Sequence, residues 1–97
     1  MKKMSRDEIL RRLRAFVDDN FLYMRPDFEL RNDASLMGNG VVDSMGVMEM
    51  IAFLEEEFGV VVDDGDVTEE NLGTLDAITA YVIAHAPVVM EETPQTA

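Results

Sequence analysis

Apolar residues recur at helical spacing in three stretches of the chain, separated by stretches with no period. The first stretch follows Ser5-Arg6-Asp7-Glu8, which has the form of a capping box, a serine N-cap with a glutamate three residues on. Behind it Ile9, Leu10, Leu13, Phe16, Val17 and Phe21 recur at helical spacing, with Arg11, Arg12, Arg14 and Asp18 on the other side. The spacing predicts an amphipathic helix over about residues 6–22 whose arginines form a solvated face. Residues 23–43 hold Pro26, Gly38, Gly40 and several Asn and Asp without a sustained period. A long loop is expected there, pinned to the core by Phe28, Leu30, Leu36 and Val41, with a short helical turn open at Asp33-Ala34-Ser35-Leu36. A loop of this length in a small domain is either functional or evidence against the assignment.

The second stretch runs from Ser44 to Phe58. With Ile51 at the centre of a buried face, Val47, Leu54 and Phe58 lie close to it, and Met50 and Met48 flank it on either side. On the opposite face Met45, Glu49, Ala52 and Glu56 stack at i, i+4, i+7 and i+11, with Phe53 projecting nearby. Glu55-Glu56-Glu57 extends the acidic surface, and Gly59 is placed to end the helix in the left-handed conformation. Val60-Val61-Val62 reads as an extended run too isolated for a sheet. Thr68 caps a short turn, Glu69–Leu72, that ends at Gly73. Thr74 then caps a last helix through Leu75, Ile78, Tyr81 or Val82, and His85, ending at Pro87. Residues 88–97 have no period and read as a flexible C-terminal tail, leaving residues 1–87 as a single domain. The expected architecture is all-α, a small four-helix bundle with a long loop between helices one and two and a short third helix.

Charge narrows the choice of partner. The net charge is −12 over 97 residues, and it is unevenly spread. Up to Arg31 there are eight basic and six acidic residues, a balance of +2; after it come fourteen acids with no Lys or Arg, a balance of −14. Such a surface repels polyanions, so neither nucleic acid nor an anionic membrane is an expected ligand, whereas a basic protein would be steered toward it. Solubility alone is the plain alternative. No apolar run approaches the roughly 20 residues of a membrane span, and no signal peptide is expected behind Met1-Lys2-Lys3. A cytoplasmic location follows by default.

Candidate chemistry is sparse. The chain has no cysteine, which removes disulfides, thiol catalysis and Cys-based metal sites. Asp63-Asp64-Gly65-Asp66 looks like a calcium loop but fails as an EF-hand: counted from Asp64, the glycine position is Glu69 and the bidentate acid position is Leu75. His85 is the only histidine, at a helix end, where a dipole partner or surface residue is expected rather than a catalytic base. No enzyme activity is expected. Ser44 remains, at the start of the second helix. Its position reads first as an ordinary N-cap and second as a point that binds or carries a phosphate, because first-turn amides lack partners and the helix dipole favours negative charge there. The methionines and glutamates of that helix likewise read either as gap-fillers and solubilising charge or as apolar anchors ringed by acids, as in a transient interface.

At Asp43-Ser44-Met45 the sequence resembles the acyl carrier protein superfamily. The resemblance continues through Met48-Glu49-Met50-Ile51, Leu54-Glu55-Glu56-Glu57-Phe58-Gly59, Val60-Val61-Val62-Asp63 and Thr74-Leu75-Asp76-Ala77-Ile78, and spans residues 5–85. It implies a 4′-phosphopantetheine arm, drawn from coenzyme A and attached to Ser44 by a phosphopantetheinyl transferase, that holds an acyl or aminoacyl group as a thioester. Asp43 would assist loading. Met45, Met48, Glu49, Ala52, Glu55 and Glu56, with Phe53 beside them, would meet partner enzymes: an acyl- or aminoacyl-activating ligase and a downstream acyltransferase or synthase. A monomer is expected. Gly46 stands where fatty-acid carriers often have an acid, and Gly40-Val41-Val42-Asp43-Ser44-Met45-Gly46 looks more like D-alanyl and aminoacyl carrier proteins. The alternatives are an unmodified acidic adaptor with the same fold and, more remotely, a small calcium sensor.

Overall fold

The computed structural model describes residues 4–86; the proposed tail and the stop at Pro87 lie outside them. Four α-helices and one short 3-10 turn make up the regular structure: α1 (Arg6–Phe21), α2 (Ser44–Phe58), the 3-10 turn Asp64–Asp66, α3 (Glu69–Leu72) and α4 (Leu75–His85). The all-α architecture, the long connection between α1 and α2 and the short α3 agree with the pattern in the sequence.

Side-chain caps start every helix. Ser5 Oγ accepts from Glu8 N, Thr68 Oγ1 from Asn71 N and Thr74 Oγ1 from Ala77 N, at 2.9–3.1 Å. Only half of the expected capping box forms, because the Glu8 carboxylate turns to Arg11 and Arg12 instead. α2 ends as predicted: Gly59 sits at φ 71°, and its N–H and that of Val60 close onto Glu55 and Leu54 carbonyls.

Ile9, Leu13 and Val17 of α1, Leu54 and Phe58 of α2, and Leu75, Ile78 and Val82 of α4 form one buried core. α1 packs along α4, and α3 packs on α4. Val60 and Val62 are buried with Val61 exposed, the alternation of an extended segment, and no strand forms among the described residues. The loop is anchored as expected by Leu30, Leu36 and Val41, with Val42 added, while Phe28 is only half-buried. Its backbone also pairs with the α3–α4 junction: Leu36 N donates to Gly73 O at 2.8 Å and Asp76 N to Asn32 O at 3.0 Å. The helix-like turn lies at Ser35–Asn39 rather than Asp33–Leu36, closed by Asn39 N to Ser35 O.

Two expectations are corrected here. Arg14 does not belong to a solvated face: it is half-buried and donates to Leu30 O (2.7 Å) and Asn32 Oδ1 (2.6 Å), tying the loop to α1. The buried face of α2 is centred on Gly46, Met50, Leu54 and Phe58, not on Ile51, which is half-buried with Val47. The reason is the close approach of α1. Phe21 Cε1 lies only 3.1 Å from where a Cβ on Gly46 would sit, so glycine lets the end of α1 rest on the start of α2. Phe53 then stacks on Phe16 at 4.1 Å, and Phe58 meets Phe53 edge-on at 5.8 Å.

Candidate functional site

Ser44 is the first residue of α2, and its expected role as the cap is taken by Asp43. Asp43 is extended, and its Oδ1 accepts from Gly46 N at 2.8 Å. Aspartate caps as well as serine, and the third residue on from Asp43, not from Ser44, is the one whose amide lies within reach. Ser44 is thereby released from local duty. It is exposed, and among the described residues it is the only serine or threonine whose hydroxyl has no hydrogen bond. Ser5, Thr68 and Thr74 cap helices, Ser35 joins Glu69 and Gly38, and Thr79 bonds back to Leu75 O.

The surroundings of this hydroxyl suit a phosphate ester. The N–H groups of Ser44 and Met45 have no backbone partner, and the dipole of a fifteen-residue helix adds positive potential at this end. Asp43 uses one carboxylate oxygen in the cap, and its Oδ2 makes no hydrogen bond among the described residues. An attached phosphopantetheine is thus compatible with the local structure: the hydroxyl is free, solvent reaches it and unpaired amides stand beside it.

Down the helix from Ser44, Met45, Met48, Glu49, Ala52, Glu55 and Glu56 are all exposed. Met45 and Met48 retain 74% and 66% of their accessible surface, so Met48 does not flank the core. Phe53 is not free on this face, being half-buried on Phe16. Of the six described methionines, Met50 is buried in the core and Met4 packs against it, while Met24, Met37, Met45 and Met48 are exposed, so gap-filling does not account for these four. Glu57 bonds to Arg12 Nη1 at 2.6 Å, linking α2 to α1. Glu49, Glu55 and Glu56 form no ion pair within the described residues. All six described arginines are engaged elsewhere: Arg6 with Asp76, Arg11 and Arg12 with Glu8, Arg14 and Arg25 with loop carbonyls, and Arg31 with Asp33. Among the described residues the acidic stripe therefore has no counter-charge.

The other candidates are structural. Asp66 accepts the Tyr81 hydroxyl at 2.8 Å, and burial followed by this carboxylate raises the Tyr81 pKa. His85 stacks on Tyr81 at 3.9 Å with Nδ1 2.9 Å from Tyr81 O. Beside the first turns of α2, Met37, Val47, Val67 and Leu72 line a cleft of about 100 Å³, below the roughly 300 Å³ of a usual ligand pocket. Sequence reasoning did not single out Arg25, which ties the segment after α1 to Asn39 O and Gly40 O. Its only signal was a charge inside an aperiodic loop.

Residues 21–82 match the family model described as "Phosphopantetheine attachment site". The chain is similar to the D-alanyl carrier protein of Abiotrophia defectiva, 30% identical over 76 residues that cover 78% of this chain and 89% of that protein. It is similar to the acyl carrier protein of Thermotoga maritima, 27% identical over 78 residues, 80% of this chain and 91% of that protein. Among solved structures, the fold matches a chain in the crystal structure of Bradyrhizobium japonicum glycine:[carrier protein] ligase complexed with glycylated carrier protein. The TM-score is 0.57 at 20% identity, covering 77% of this chain and 95% of that chain.

Proposed function

The chain belongs to the acyl carrier protein superfamily of phosphopantetheine carriers, and from that premise we propose that Ser44 bears the arm and that the exposed face of α2 addresses the enzymes that use it. The arm supplies the thiol this cysteine-free chain lacks, and with it the means to hold an acyl or aminoacyl group as a thioester. One observation supports the assignment most directly: Ser44 alone among the described serines and threonines keeps its hydroxyl free.

The chain's own residues divide the work. Asp43 caps α2 and so fixes the position of the next residue, Ser44. Its free carboxylate oxygen is available to assist loading by a phosphopantetheinyl transferase. The amides of Ser44 and Met45 stabilise negative charge next to the hydroxyl. Met45, Met48 and Ala52 offer apolar contact, and Glu49, Glu55 and Glu56 attract basic groups on a partner. Phe53 contributes from behind, through its stack on Phe16. The partners we assign are the transferase, an acyl- or aminoacyl-activating ligase and a downstream acyltransferase or synthase. The chain itself acts as carrier and not as enzyme, and loading is placed in the cytoplasm, where coenzyme A is available.

The test is loading by a broad-specificity phosphopantetheinyl transferase with coenzyme A, read by intact mass. Wild type gains the mass of one arm and Ser44→Ala gains none. A wild-type chain that stays unmodified beside a positive-control carrier contradicts the proposal.

A further inference from the structure

Eight large apolar side chains are exposed among the described residues, and five of them, Tyr23, Met24, Met37, Met45 and Met48, belong to segments that meet at the first turns of α2. Their exposure runs from 49% at Met37 to 76% at Met24. Single exposed apolar residues are ordinary, but a cluster at one end of a molecule marks an interaction surface. Two contacts bring the segment after α1 to this place. Phe21 Cε1 lies 3.1 Å from where a Cβ on Gly46 would sit, and Arg25 Nη1 donates to Asn39 O and Gly40 O, both at 3.3 Å. Tyr23 and Met24 lie between these anchors. Met37 stands in the turn that closes through Gly40 N to Met37 O at 3.1 Å. Arg25 also covers the Phe28 ring at 4.3 Å, which fixes its side chain from a second side.

Resting on the assignment of Ser44 above, we propose that Tyr23, Met24 and Met37 form a second apolar edge of the docking surface, on the loop side of Ser44. An enzyme acting at Ser44 covers this edge together with α2. The occupant is a protein with an apolar pocket and a basic rim. Glu49, Glu55 and Glu56 form no ion pair among the described residues, and a basic rim on the partner complements them. Arg25 is a positioning residue: it binds the partner only indirectly, by holding Tyr23–Met24 beside the loop that leads into Ser44.

The experiment measures steady-state loading by the transferase, with hydrogen exchange as a second reading. Tyr23→Ala/Met24→Ala raises the KM for the carrier about tenfold, as loss of a modest interface anchor does, while kcat and the thermal midpoint hold. Tyr23→Phe/Met24→Leu restores the KM. In wild type, amides of residues 22–25 gain protection when the transferase binds. An unchanged KM in the alanine double variant, or no added protection at 22–25, overturns the proposal. So does a wild-type dimer that the double variant dissociates, which would assign the patch to a second copy. If wild type is not loaded at all, the reading of Ser44 has failed and the second edge falls with it; normal loading with an unchanged KM rejects the second edge alone.

Discussion

α1 and α2 are nearly equal in length, sixteen and fifteen residues, and a side chain caps each, yet their charged groups are used differently. Every arginine on α1 finds a partner inside the molecule: Arg6 reaches Asp76, Arg11 and Arg12 share Glu8, Arg12 also reaches Glu57, and Arg14 holds two loop acceptors. On α2 only Glu57 is paired, while Glu49, Glu55, Glu56 and the Ser44 hydroxyl bond to nothing among the described residues. Polar groups that satisfy one another maintain the fold. Groups left free on an equally well-formed helix are available to another molecule.

This contrast can be broken by exchanging which side is disturbed. Glu49→Lys/Glu56→Lys should cut kcat/KM for loading by about tenfold to 100-fold at low salt, with stability moving by less than about 0.5 kcal/mol, as for surface changes without partners. Arg14→Ala should do the reverse. Loss of hydrogen bonds from a half-buried guanidinium costs roughly 1.5–3 kcal/mol, seen as a lower urea midpoint, with loading kinetics intact. Asp43 falls between the two. Asp43→Ala removes the cap and costs about 1 kcal/mol, whereas Asp43→Asn keeps the cap and stability but loads slowly if the carboxylate assists. Equal loading of Asp43→Asn and wild type would confine Asp43 to capping.

The smallest expected effect is a pH dependence on the α1 side. Hydrogen bonds from Arg11 and Arg12 pull the Glu8 pKa from its ordinary 4.5 to about 2. A carboxylate whose pKa is lowered by folding contributes stability above its unfolded value and loses that contribution as pH falls toward the folded one. Thermal midpoints of wild type should therefore fall between about pH 4.5 and 2 more steeply than those of Glu8→Gln. Because Glu8 is solvent-accessible, the difference should be small and shrink further in salt. Identical slopes would show that the Glu8 pairs contribute nothing measurable.

Much of this was legible in the sequence, and the gaps have physical causes. Helix limits followed from local signals: Ser5, Thr68 and Thr74 as caps, Gly59 as a left-handed stop, and apolar spacing along α1 and α4. The phase of α2 did not follow, because Gly46 admits Phe21 and so shifts the buried face toward Met50, a contact between residues far apart in sequence. Phe53 was misplaced for the same reason, its stack on Phe16 being a tertiary choice. Ser44 was found but given the wrong local role, since Asp43 and Ser44 are equally good caps and only geometry separates them. The loop's buried anchors Leu30, Leu36 and Val41 were legible, but with no period in the segment nothing set the exposed Tyr23, Met24 and Met37 apart.

The most direct test of the whole account is peptide mapping by mass spectrometry of protein loaded with coenzyme A and transferase. The free Ser44 hydroxyl predicts a single arm, on the peptide containing Ser44. An arm on Ser5 or Ser35, whose hydroxyls are already engaged, or no arm on any peptide, would contradict it.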